Sequence, residues 1–182
     1  MRKKIILSLV LLDQLAKLFS FVLQKSHLNI PGLTYIKSKG YLFGIFVFIP
    51  YNRILVIGLL LISLYIIVLF FRFYWLKFKR TRLSYVSFSF IMGGFLGNGI
   101  DCIIFGYVRD MISIPVYIST NLSDLFIGIG LLILAIELLF NKDFRKVGLI
   151  LKSPKGELES IRPLGSLIVQ DFKNVYKRIK CR

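Results

Sequence analysis

The sequence predicts an α-helical membrane protein with four transmembrane helices, a small β-cradle on the outer face and a basic cytoplasmic tail. Three observations lead there. Hydrophobic residues make up 56% of the chain, and they gather into four runs of about twenty residues, the length of an apolar span. Through residue 136 there are only four acids, Asp13, Asp101, Asp110 and Asp124, each inside or at the end of an apolar segment. The bases behave oppositely: most of the 25 Lys and Arg lie between and after the runs.

The first span runs near 4–23. Arg2, Lys3 and Lys4 precede it, as in a secretory leader, but Asp13, Gln14 and Lys17 lie inside it. A leader's apolar region carries no such groups, so the segment is read as a permanent span. The loop at 24–52 is too long and apolar for a plain connection, and its partial alternation predicts short strands on the membrane surface. Gly32, Gly40 and Gly44 suit its turns or close approaches. The second span, near 53–71, has no charge from Ile54 to Phe71. The third, near 83–104, carries Gly93 and Gly97 as a small-xxx-small face for close helix contact. A short loop at 105–120 leads to the fourth span, near 121–140.

In the tail, Ile168, Phe172, Val175 and Ile179 fall at i, i+4, i+7 and i+11, with bases elsewhere around the helix. That is the pattern of an amphipathic helix on an anionic leaflet, and a solvated tail is the alternative. The chain therefore divides into a membrane domain over 1–141, with the cradle at about 24–52, and a basic tail over 142–182.

Lys and Arg crowd the N-terminus, the segment between the second and third spans, and the tail, whereas 24–52 and 105–120 are lean in them. The positive-inside rule puts both termini in the cytoplasm. The net charge of +16 would suggest nucleic acid for a soluble protein. Here topology and anionic lipid account for it, so membrane lipid is the expected partner and nucleic acid is not. Cys102 and Cys181 have no CxxC spacing, and His27 stands alone. Neither a metal nor any other cofactor is expected.

A carboxylate at membrane depth costs about 2.5–3.5 kcal/mol unless paired or wet. Asp13 and Lys17, four apart, stack on one helix face and can pair. Asn98 and Asp101, three apart, can point the same way, and Asp101 also suits a helix-end anchor. Asp110 reads as a loop acid paired with Arg109, and Asn121 with Asp124 as a helix cap. A sharper reading joins Asp110 to Asp124. Two close carboxylates near a low-dielectric surface share a proton. One can then take a proton from water while the other donates to a carbonyl oxygen or leaving amine, the chemistry of aspartic peptide hydrolysis. No Ser–His or Cys–His pair, metal constellation or phosphate loop competes.

The motif order is Asp13-Gln14-x-x-Lys17, Gly40-x-x-Phe43-Gly44, Gly93-Gly94-x-x-Gly97-Asn98-x-x-Asp101, Val108-x-Asp110 and Asn121-x-x-Asp124. Over roughly residues 5–140 it resembles lipoprotein signal peptidase (signal peptidase II). The resemblance implies a membrane aspartic peptidase of the inner membrane that removes the signal peptide of diacylglyceryl-modified bacterial prolipoproteins, cutting before the lipidated Cys. It implies Asp110 and Asp124 as the catalytic pair and Asp13 with Lys17 as a structural pair. Asn98, Asp101 and Asn121 would support the pair or hold substrate, joined by Ser38, Gly40, Phe43 and Arg109. It further implies binding of globomycin-type inhibitors, and a monomer is expected.

The chain departs from the family pattern in the cradle and after the third-span Asp, and also in a short loop between Asp110 and Asp124 and a tail beyond about 145 that is longer than the family needs. Ser38-Lys39-Gly40-Tyr41-Leu42-Phe43 stands where the family reads Asn-x-Gly-Ala-Ala-Phe, and Cys102 stands where it has Arg. Those departures raise a second reading, a degenerate relative that binds lipidated signal sequences without cutting them. A third, an ion carrier, fits poorly, because the acids gather toward one membrane face rather than crossing it.

Overall fold

A computed structural model of the chain describes residues 2–26, 30, 32–38, 53–78, 81–114, 118–141, 163–171, 173, 174 and 176. The element order is α1 (Arg2–Lys25), β1 (Leu33–Ser38), α2 (Arg53–Lys77), α3 (Arg82–Ile104), β2 (Val108–Ile114), β3 (Ile118–Thr120) and α4 (Leu122–Phe140). A further helix, α5, covers 163–171. Helices α1 to α4 are each long and apolar enough to cross a membrane. Leu11, Leu15, Leu61, Ile66, Leu132 and Leu139 stay exposed along them, as lipid-facing side chains do.

Helix α3 is the centre of the bundle, packing on α4, α1 and α2. Its glycines explain how closely. A Cβ at Gly94 would fall on the Ser123 carbonyl oxygen and come within 2.8 Å of Ile127. At Gly93 it would reach Leu9 Cβ at 2.8 Å, and at Gly97 it would meet the Ser123 hydroxyl and stand 2.8 Å from Asp13 Oδ2. The small face thus seats α1 and α4 at once. Lower in the bundle, Gly130 lies against Ile91, and the Ser87 hydroxyl donates to the Gly130 carbonyl at 2.8 Å. Phe71, Ile91 and Leu134 form the apolar core of that half, flanked by Trp75, Phe88 and Leu138.

The three strands form one antiparallel sheet in the order β1-β2-β3. Ile36 opposes Asp110, Ser38 opposes Val108, and Ile112 opposes Thr120. Gly32 enters β1 with φ 81°, a conformation that glycine adopts without a Cβ clash. The sequence predicted strands in 24–52 but read 105–120 as a plain loop. The structure instead forms strands β2 and β3 there, paired antiparallel with each other, because β2 finds backbone partners on the distant β1. The rest of the predicted cradle, including Gly40 and Phe43, lies outside the described residues.

Helix α2 continues six residues past the predicted end at 71. Arg72 reaches Asp171 of α5, and Tyr74 is buried with its hydroxyl on Glu137, so the polar end of α2 has protein partners. In the tail, the predicted stripe positions Phe172, Val175 and Ile179 lie outside the described residues. Leu167 is the buried residue of α5.

Candidate active site

The four acids of the first 136 residues converge where α1, α3, β2 and the start of α4 meet. Asp13 and Lys17 sit one turn apart on α1, both fully buried, with Lys17 Nζ 2.7 Å from Asp13 Oδ2. The same ammonium lies 3.0 Å from Asp101 Oδ2 and donates to Asn98 Oδ1 at 3.1 Å. Lys17 therefore uses its three N–H bonds on three different groups, two of them on α3. Asn98 and Asp101, three apart on that helix, face it together.

Asp13 has a second task. Its Oδ1 accepts the Ser123 backbone N–H at 2.9 Å, placing a carboxylate at the N-terminus of α4, where the helix dipole favours negative charge. Asp101 is likewise shared. It takes the Arg109 backbone N–H at 3.0 Å on Oδ2 and the Arg109 guanidinium at 2.6 Å on Oδ1. Arg109 also donates to Gln14 and lies 4.4 Å over the Phe105 ring. The predicted Arg109–Asp110 pair is thus corrected. Neighbouring strand residues point to opposite faces, so Arg109 turns to Asp101 while Asp110 turns to the start of α4.

Asp110 is buried and accepts two short hydrogen bonds, from Asn121 Nδ2 at 2.7 Å and from the Ser119 hydroxyl at 2.6 Å. Asp124 Oδ1 accepts from Asn98 Nδ2 at 2.8 Å, and Oδ2 from the Thr120 hydroxyl at 3.4 Å. Asn121 joins the two acids. It is the N-cap of α4, its Oδ1 accepting the Asp124 backbone N–H at 3.0 Å, while its amide nitrogen holds Asp110. Asn121 therefore acts as the cap that its spacing predicted and also as a clamp on the neighbouring carboxylate.

Beside this cluster, the β1–β2 face carries aromatic rings. The Tyr35 and Tyr107 hydroxyls meet at 3.4 Å, Phe21 packs edge-on to Tyr35, and Lys37 lies 5.4 Å over the Tyr107 ring. Burial, and then the Tyr107 hydroxyl, push the Tyr35 pKa up to about 12, so it stays neutral at physiological pH. Ser38 ends β1 opposite Val108, two residues from Asp110. Cys102, half-buried on α3, makes no disulfide. Among the described residues no group of acids, histidines and cysteines has the arrangement of a metal site.

Sequence reasoning did not find Gln14's role, Ser119 or Thr120. Gln14 donates to Asp13, Asp101 and the Gly97 carbonyl, so it ties α1 to α3. Its place between the motif residues Asp13 and Lys17 was the available clue. Ser119 and Thr120 act through a strand that the sequence did not reveal.

A family model described as signal peptidase (SPase) II matches residues 5–140. The lipoprotein signal peptidase of Halothermothrix orenii is 35% identical over 138 residues, covering 71% of this chain and 90% of its own. That of Caldicellulosiruptor bescii is 35% identical over 142 residues, covering 74% and 88%. That of Clostridium novyi is 32% identical over 142 residues, covering 71% and 91%. A solved bacterial membrane enzyme, determined by the in meso method at 1.9 Å resolution, superposes with a TM-score of 0.58 at 22% identity, over 76% of this chain and 92% of its own. That last likeness is one of fold.

Proposed function

The chain belongs to the signal peptidase II family, and from that premise we propose that Asp110 and Asp124 are its catalytic pair. It is an aspartic membrane peptidase that removes the signal peptide from prolipoproteins. The binding-only reading raised by Ser38 and Cys102 is not favoured beside relatives that carry the peptidase name.

One observation carries the catalytic assignment: Asn121 holds Asp110 with its amide nitrogen and caps the helix of Asp124 with its oxygen. Asn121 thereby links Asp110 to the first turn of α4, which carries Asp124. Across Asp13, Lys17, Asp101, Arg109, Asp110 and Asp124, ionised acids outnumber bases, and a proton shared by Asp110 and Asp124 lowers that excess. The ionised member of the pair takes a proton from water, which attacks the scissile carbonyl. The protonated member donates to the carbonyl oxygen, and then a proton passes to the leaving amine. Asn98 and Ser119 each donate to one oxygen of the two acids, so neither carboxylate has to reorganise as charge moves.

The substrate is a diacylglyceryl-modified prolipoprotein cut before the lipidated Cys. Ser38, Gly40, Phe43 and the 24–52 loop grip it. Both termini are cytoplasmic, since the bases gather at the N-terminus, after α2 and in the tail. The catalytic pair then lies near the outer face of the inner membrane. The chain works as a monomer, and globomycin-type peptides compete for the same site.

The test is cleavage of a diacylglyceryl prolipoprotein by wild type, Asp110→Asn and Asp124→Asn, each inserted and folded. Signal-peptide release is expected from wild type alone. Turnover by either variant removes that residue from the chemistry.

A further inference from the structure

Among the described residues of the tail, α5 packs onto the bundle away from the acid cluster. In α5, Leu167 is buried, and Asp171, one turn later, accepts the Arg72 guanidinium on both oxygens, at 2.8 and 2.7 Å. Positions 167 and 171 share the inward face. Val169, Lys173 and Tyr176 fall at i, i+4 and i+7, and all three are exposed. The outward face thus carries a β-branched residue, a lysine and a tyrosine, the combination that sits at a bilayer interface with apolar stems down and polar ends in water.

Charge chooses the partner. From 163 to 182 the bases are Lys173, Lys177, Arg178, Lys180 and Arg182, against the single acid Asp171. Arg72 already neutralises that acid, so nothing in the segment offsets the five cations. The pair also ties α5 to α2 five residues from the end of a membrane-crossing helix, which holds it at membrane level. We propose that the outward face of α5, with Val169, Lys173 and Tyr176 facing the lipid, is a binding surface for anionic phospholipid headgroups in the leaflet nearest the Lys77 end of α2, and that the bases which follow it in sequence add positive charge to it. The Arg72–Asp171 pair turns that face outward.

The experiment uses the full chain with Cys102→Ser and Cys181→Ser and a nitroxide on Tyr176→Cys. It is placed in nanodiscs of phosphatidylcholine alone or with added phosphatidylglycerol. Accessibility to oxygen, which partitions into lipid, is compared with accessibility to a water-soluble nickel chelate. Phosphatidylglycerol is expected to raise the oxygen-to-nickel ratio at least twofold. Lys173→Gln/Lys177→Gln/Arg178→Gln/Lys180→Gln is expected to abolish that rise, with prolipoprotein cleavage retained as proof of folding. A nitroxide equally water-exposed in both lipids overturns the proposal. So does a rise that survives the neutralised variant, or immobilisation in both lipids that reports a protein partner. Peptidase activity is read separately, so its absence bears on the catalytic assignment and not on the tail.

Discussion

At the scale of single residues, the site is a chain of shared groups, and sharing makes some positions costly to change. Asn121 caps α4 and holds Asp110 with one amide. Asn121→Ala removes both, and the lost cap alone costs ~1 kcal/mol. The larger effect is on the rate, because a carboxylate displaced by ~1 Å loses about a hundredfold. Steady-state cleavage is expected to show a fall in kcat well beyond the small change in thermal midpoint. Asn121→Asp keeps the cap but replaces the donor to buried Asp110 with a second carboxylate, and so should be as inactive as Ala and no more stable. Lys17 is the opposite case. It lies between Asp13 and Asp101, all three fully buried. Lys17→Met leaves Asp13 buried without its cation and Asp101 with Arg109 alone, a loss of about 3–5 kcal/mol. Thermal unfolding in detergent should show collapse of the fold, and near-wild-type stability would mean that water reaches this cluster.

At the scale of elements, the glycines of α3 set where the start of α4 stands, and with it Asp124. Gly94→Ala places a methyl group on the Ser123 carbonyl, so α4 must move or tilt, at about 1–3 kcal/mol. Gly99, with nothing within 4 Å of a Cβ, is the control: alanine there gains helix propensity and disturbs no contact. Gly94→Ala is expected to lose cleavage and stability together, and Gly99→Ala neither. Equal behaviour of the two would remove the close approach from the argument. The sequence made the spans legible because a membrane demands long apolar runs, and Gly93 and Gly97 because close packing demands missing side chains. Asp13 with Lys17 was legible because a helix fixes the i, i+4 spacing. The β2–β3 pair was not, because its partner β1 lies some seventy residues earlier and neither segment alternates cleanly. The turning of Arg109 toward Asp101 was hidden for the same reason: it follows from the strand that 108–114 becomes. Where α2 ends was misread at Arg72, since a charge closes an apolar run on paper, while Asp171 lets the helix continue.

At the scale of the whole molecule, the two ends of the bundle hold different polar clusters. Asp124 opens α4 within the acid cluster, its backbone N–H capped by Asn121. Glu137, near its other end, is buried and accepts from the Tyr74 hydroxyl at 3.1 Å and the Thr81 hydroxyl at 2.7 Å. Thr81 also caps α3, and Asn141 donates to Tyr74 at 3.0 Å, so this network closes the ends of α2, α3 and α4 together. At 1.5 Å per residue the two clusters are about 20 Å apart along α4. Arg72 and α5 belong to the Glu137 end, one turn or less from Tyr74 on α2. Sites this far apart, with no shared partner, couple by only ~0.3–0.5 kcal/mol. Removing residues 142–182 should therefore change kcat by no more than about twofold, the factor that such a coupling corresponds to. What the truncation should remove is any dependence of KM on phosphatidylglycerol, since the basic surface that gathers that lipid goes with the tail. Steady-state cleavage by the full and shortened chains, in nanodiscs with and without phosphatidylglycerol, separates the two effects. A large fall in kcat in both lipids would show that the Glu137 end of the bundle governs the placement of Asp124. The long apolar stretch of α4 would then transmit strain from one cluster to the other.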